Sequence, residues 1–262
     1  MKPFDLPETV SLPQLAFELS EHLGFSNTED AKWAWLELSG AVLSHYLVDK
    51  NKRFNALIHW FYQDLGFCQR EDYFSAEAAD LAITLKSRQG NSTTLATLLL
   101  LLSKQLDLEF DLLFLPGTTV LRSQIDDEIR FIDALTGKDI DRSTLHALVR
   151  GELGNHAQLK SKYFKPANDK RLISRLLHEL KAGCIVSQQY EKAIECCNLL
   201  MQWHSDDIHL SRERAYVAEQ LGCIKVAVDD LQYFVDNNPH DPVTELVRMQ
   251  LEKLNQHAEI YH

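Results

Sequence analysis

Cysteine is scarce in this chain and poorly spaced for covalent or metal chemistry. Five cysteines, Cys68, Cys184, Cys196, Cys197 and Cys223, occur in 262 residues. Their odd number and the lack of any CxxC pair argue against a disulfide framework and fit a reducing compartment. Positive charge is also in deficit: 27 Lys and Arg against 38 Asp and Glu leave a net charge of -11. A field of that sign opposes phosphate backbones and anionic lipid surfaces, so neither nucleic acid nor membrane is an expected partner. Long apolar runs are missing too. The longest leucine run, Leu98–Leu102, sits in a stretch far shorter than the ~20 residues a spanning helix needs. No apolar signal core follows Met1, so a cytoplasmic protein is expected. HExxH, EF-hand and phosphate-loop patterns are absent, so neither metal nor cofactor is expected.

What is present reads as mainly helical. Apolar stripes at helical spacing run from Leu12 to Leu23 and from Ala31 to Val48, the second through Trp35, Leu38, Val42, Tyr46 and Leu47. Arg53–Leu65 follows, with Gly66 as its stop. The middle of the chain changes period. Asn91 or Ser92 can cap a helix from Thr93 to about Leu106. Phe110–Leu115, Thr118–Arg122 and Ile129–Asp133 read as strands, with Asp126-Asp127 marking a turn. Helix, strand, turn, strand implies an α+β core with helices on an antiparallel sheet. Asp139–Arg150 reads as helix again.

The last third carries an internal repeat. Tyr190–Glu195 and Ile224–Asp229 align at an offset of 34 residues, as do Leu200 with Phe234 and Asp207 with Asp241. That period is the tetratricopeptide signature of paired helices. Ala193 and Ala227 allow close packing within each pair, and Gly222 and Pro239 fall where the repeat turns and ends. The division expected is a helical segment over 1–66, a core over 67–160 and helical repeats over 171–258, with the polar stretch Leu153–Lys170 as the boundary.

The chemistry turns on two missing residues. Gly90-Asn91-Ser92-Thr93-Thr94-Leu95-Ala96 keeps the frame that delivers a cysteine nucleophile to a helix start, but places Ser92 there. The base would lie in Pro116-Gly117-Thr118, and Thr118 accepts no proton near neutral pH. Asp133 would be the carboxylate, left without an imidazole to orient. The order of these parts resembles a transglutaminase-like core. The bland reading is that Asn91 and Ser92 are caps and Thr118 a strand residue. The competing one is a residual hydrolase or acyl-transfer enzyme using Ser92. His59, on the preceding helix, is the one unorthodox source of a base, and His45 and His59 otherwise read as structural.

From about Asn55 onward the chain resembles the SirB/YchA family of bacterial proteins. The resemblance is carried by Arg88-Gln89-Gly90, Thr94-Leu95, Pro116, Leu121-Arg122, Asp133 with Gly137, Asp229–Val235 and the ending Asn255–His262. It implies a transglutaminase-like core joined to a tetratricopeptide-like tail. It also implies that the cysteine was given up across the family, while broader relatives keep Pro-Gly-His where this chain has Pro116-Gly117-Thr118. The fold expected is therefore α+β and mainly helical, with a degenerate core and an all-α helical array.

Binding candidates remain. Arg88, Asn91 and Arg122 line the degenerate cleft, and Arg88 either pairs with an acidic neighbour, Asp133 being one candidate, or holds a small anion or peptide carboxylate. On the repeats, Arg212, Arg214, Tyr216 and Arg248 either form a docking patch for a protein or peptide partner or pair with Glu213, Glu219 and Glu245. His204 and His209 read as solvated helix-end residues, and Cys197 as a packing residue. The function expected is a non-enzymatic regulatory or accessory protein acting through protein–protein binding.

Overall fold

The computed structural model describes residues 11–126 and 128–260. Asp127 of the expected turn, the first ten residues and the last two of the family-like ending lie outside them. The chain divides into two units, one over Thr9–Leu176 and one carrying Leu177 onward.

The first unit opens with α1 (Leu12–His22), α2 (Thr28–Ala41) and α3 (Lys50–His59). Asn27 caps α2 by accepting from the Glu29 and Asp30 amides at 2.8 and 3.3 Å. A 3-10 turn, Val42–His45, prolongs α2, and a π turn, Trp60–Asp64, prolongs α3 up to Gly66 at φ +71°. A two-residue strand, β1 (Cys68–Gln69), then precedes α4 (Ala76–Ala79) and α5 (Leu81–Ser87), and pairs in parallel with β2 (Gln89–Gly90). None of these four short elements is legible as periodicity, because each is too brief to repeat.

Helix α6 (Ser92–Gln105) is buried along most of its length and packs on the sheet formed by β3 (Phe110–Leu115), β4 (Thr118–Ile125), β5 (Glu128–Asp133) and β6 (Asp139–Ile140). The sheet is antiparallel in the order β3-β4-β5-β6. Pro116 and Gly117, the latter at φ +74°, close the β3–β4 turn. Helix was expected from Asp139. Instead Asp139 and Ile140 pair with Ile132 and Phe131, and α7 (Arg142–Leu153) starts only where Asp141 accepts from the Thr144 amide at 2.8 Å. Nor is Leu153–Lys170 a boundary. Tyr163 of this stretch packs with Leu113, Leu115, Val120, Leu145 and Val149, and the Ala167 amide bonds to the Leu112 carbonyl at 2.9 Å.

The unit division falls within α8 (Asp169–Val186). Beyond it come α9 (Tyr190–Trp203), α10 (His209–Gln220), α11 (Ile224–Asn237) and α12 (Thr244–Ile260). Helices α9 and α11 begin 34 residues apart, and their equivalent Ala193 and Ala227, Leu200 and Phe234 are fully buried. Helix α12 closes the array, setting Val247, Leu251 and Leu254 against Leu231, Phe234 and Val235.

Candidate functional site

Asn91, not Ser92, is the cap of α6. Its side chain accepts from the Thr93 and Thr94 amides at 3.0 and 2.9 Å, and Thr94 Oγ1 reciprocates toward the Asn91 amide at 3.1 Å. This closes a capping box and satisfies three backbone donors. Gly90 is required beside it, because a Cβ there would lie 2.4 Å from Thr94 Oγ1 and 2.5 Å from Thr84 Cγ2.

Ser92 therefore occupies the first helical position, where a nucleophile of this fold would stand, but only 2% of it is exposed. Its Oγ accepts the Thr119 amide at 3.1 Å and shares a hydrogen bond with the Tyr73 hydroxyl at 2.9 Å. The Ser92 amide donates to the same phenol at 3.4 Å. One residue along, Thr93 Oγ1 meets Thr119 Oγ1 at 2.7 Å. The group facing the start of α6 is thus Thr119, one position beyond the residue singled out by the sequence. Side chains alternate along a strand, so Thr118 sits on the other face with Val120. Asp133 is the cross-strand partner of Val120 and shares that face, where Val120 packs on Leu145 and Val149. The three positions of the expected triad are split across the sheet.

Asp133 is engaged in its own hairpin. Its carboxylate accepts from the Leu135 amide at 3.0 Å and from Thr136 Oγ1 at 2.7 Å, and its carbonyl accepts from the Gly137 amide at 2.8 Å. The hairpin lies on Tyr62, whose hydroxyl donates to the Ala134 carbonyl at 2.7 Å. Burial, and then the nearby Asp133 charge, push the Tyr62 phenol far above its ordinary range.

The cleft candidates do not converge. Arg88, left-handed at φ 62°, donates to the Leu65 carbonyl at 2.8 Å and does not bridge to Asp133. Arg122 pairs with Asp111, its cross-strand neighbour, through Nε at 3.0 Å and through Nη2. Asn91 is committed to the cap. Neither histidine supplies a base to Ser92: His59 is exposed beside Asp64 at 3.4 Å, and His45 packs on the Trp60 ring at 4.9 Å. Tyr73 and Thr119 were missed. Tyr73 lies in an aperiodic turn with no signal, whereas the alternation of β4 could have shown that Thr119 faces inward.

Buried thiols in the second unit offer no substitute nucleophile. Contact with Cys184, and then burial, hold the Cys196 thiol well above its usual range, and burial pushes Cys197 up to about 12. Both stay protonated and unreactive near neutral pH. No group of three or more His, Cys, Asp or Glu among the described residues is placed to hold a metal ion. No helix among them is long and apolar enough to cross a membrane.

The repeat-face arginines are partly engaged. Arg214 grips Asp230 with two bonds of 2.6 and 2.7 Å and reaches Asn198 at 3.0 Å, so it is not a free docking charge. Arg248 pairs with Glu245 at 3.0 Å. Arg212 stacks over Phe234 at 5.5 Å, and Tyr216 beside it is exposed.

Comparison with known proteins agrees with this architecture. A family model described as transglutaminase-like superfamily matches residues 12–178, and one described as tetratricopeptide repeat matches 180–252. The chain is 31% identical over 210 residues to the UPF0162 protein YchA of Escherichia coli (strain K12), covering 79% of this chain and 78% of that one. It is 29% identical over 218 residues to Protein SirB1 of Salmonella typhimurium, covering 82% and 81%. It is also 29% identical over 236 residues to a UPF0162 protein of Vibrio cholerae, covering 87% of each. No solved structure matches. A helix-start serine backed by a sheet, a helical tail of 34-residue period and relatives aligned along most of both chains place this protein in the transglutaminase-like superfamily, within the SirB1/YchA family.

Proposed function

We propose that this protein is a non-enzymatic regulatory or accessory protein that acts by binding other proteins, its transglutaminase-like core serving as scaffold. The observation that carries this reading is the state of the Ser92 hydroxyl. It is buried and committed to a strand amide and a phenol. A serine nucleophile needs a base that takes its proton and an open approach for the acyl carbon. Tyr73 offers a phenol and not an imidazole there, and Asp133 lies on the other face of the sheet.

Binding falls to the helical repeats, which present concave faces to peptides or helices. Arg212, Tyr216 and Arg248 are the contact residues proposed on α10 and α12. The competing reading, a residual hydrolase or acyl-transfer enzyme, makes a different prediction. Fluorophosphonate treatment of the purified chain is expected to leave Ser92 unlabelled, whereas labelling abolished by Ser92→Ala overturns the non-enzymatic reading. For binding, affinity capture from the native host is expected to recover a reproducible partner, with recovery weakened by Arg212→Ala and Tyr216→Ala. Unchanged capture excludes this face.

A further inference from the structure

Helix α2 and the loop after it leave an apolar face uncovered, although most of the helices around them bury theirs. Trp33 is 70% exposed and Val48 95%, with Leu36, Leu43, Tyr46 and Leu47 exposed between them. At 3.6 residues per turn, Trp33, Leu36, Gly40 and Leu43 fall within an arc of about 80°, one continuous stripe roughly 15 Å long. The loop that completes it is held in shape. Arg53, itself buried, donates to the Leu47, Val48 and Leu106 carbonyls at 2.6, 3.3 and 2.7 Å. Its guanidinium lies over the Tyr46 ring at 3.9 Å, and the Tyr46 hydroxyl bonds to Asp107 at 2.8 Å. Leu47 and Val48 are thus displayed outward by a fixed backbone.

Gly40 supplies an independent observation. It stands one residue before the end of α2, where the 3-10 turn Val42–His45 continues the coil, and glycine weakens a helix relative to alanine. A Cβ added there would meet nothing within 4 Å. No neighbour among the described residues requires the glycine, whereas a helix crossing closely at that point would.

We infer that the Trp33–Val48 face is the interface of a two-fold homodimer in which the last turns of α2 and the 3-10 turn after it run antiparallel to their copies and cross at Gly40. Two features favour a second copy. Gly40 lies near the middle of the stripe, so a two-fold axis there sets glycine against glycine and carries Trp33 toward the far end of the partner's stripe. The area also suffices. The six residues expose on the order of 700 Å², more than the largest patch of a typical monomer. Covering most of it on two chains reaches ~1,200–1,400 Å², the range of specific interfaces.

Sedimentation equilibrium of the full chain tests this. The expected result is a species of twice the 30.1 kDa chain mass. Leu36→Glu combined with Leu43→Glu is expected to weaken the dimer by about tenfold or more. Gly40→Leu separates the interface from folding, because it should raise the melting temperature of the monomer while weakening the dimer by a similar factor. Leu246→Glu, at an exposed apolar residue of the second unit, should leave the dimer intact. A monomer at all concentrations up to about 100 μM overturns the inference, whether the face is bare or reserved for another protein. So does a dimer indifferent to both the Leu36/Leu43 and the Gly40 substitutions, or one dissociated by Leu246→Glu alone.

Discussion

The Ser92 hydroxyl ties the start of α6 to β4. Pairing of β5 with β4 stops at Val120–Asp133, one residue short of Thr119, and the Thr119 amide turns to Ser92 Oγ instead. Removing that oxygen leaves a buried donor without its acceptor, so Ser92→Ala is expected to cost about 1–3 kcal/mol in urea unfolding. Tyr73→Phe removes the bond shared with Ser92 Oγ and the longer one from the Ser92 amide, and should cost about 1–2 kcal/mol. A neutral Ser92→Ala would show that the hydroxyl carries no structural duty. The position of Ser92 at a helix start was legible because caps and glycines have strict local chemistry. Of its partners, Tyr73 was not, because a turn brings it in, whereas the alternation along β4 already separates Thr119 from Thr118.

At the scale of elements, the two repeats solve one problem with different residues. Gln188 and Gly222 are equivalent at the 34-residue offset, and both are left-handed, at φ 56° and 71°. Each turn is closed by a bond across it, from the Gln189 amide to the Cys184 carbonyl and from the Cys223 amide to the Ala218 carbonyl, both 2.8 Å. This helix ending demands a positive φ, which glycine adopts freely and glutamine does not. Gln188→Gly is therefore expected to stabilise the chain by about 0.5–1 kcal/mol, and Gly222→Ala to destabilise it by about 1 kcal/mol. Thermal unfolding of the two variants measures the difference, and a destabilising Gln188→Gly would refute the backbone argument. The opposite circumstance holds at Gly137, where φ is +70° and a Cβ would lie 2.4 Å from the Tyr62 ring. Gly137→Ala should cost more, about 2–4 kcal/mol, because strain and overlap combine. Elements of this kind were legible where they are long or strongly patterned: Phe110–Leu115 emerges with its expected bounds. The reading failed at Asp139-Ile140, a strand of two residues created only by the β5 edge it joins.

At the scale of the whole molecule, the two units should respond differently to acid. In the first unit, bonds from the Thr144 amide and from the Ser143 and Thr144 hydroxyls hold the exposed Asp141 carboxyl down to about 2. A folded value below the unfolded one gives stability that is present above the ordinary carboxylate range and lost only as pH falls toward 2. In the second unit, His178 lies beside the buried Lys181, whose Nζ pairs with Glu213 and reaches His178 Nδ1 at 3.3 Å. Burial, and then the Lys181 charge, push the His178 imidazole down to about 4 from its ordinary 6.5. The unfolded chain then binds this proton before the folded one does. Stability is complete above pH 6.5, declines as pH falls toward 4, and loses nothing further from this group below that. The loss is at most about 3 kcal/mol and is reduced by residual solvent contact. Breaking the ion pair from the acidic side should hurt at pH 7, because Glu213→Gln strands the Lys181 cation, at about 2 kcal/mol given that Glu213 is partly exposed. Calorimetry at pH 7 and pH 4.5 is expected to show the transition of the second unit moving down much further than that of the first. His178→Gln should flatten that dependence between pH 6.5 and 4. If both transitions shift together and His178→Gln leaves the slope unchanged, the acid sensitivity lies in groups other than this histidine.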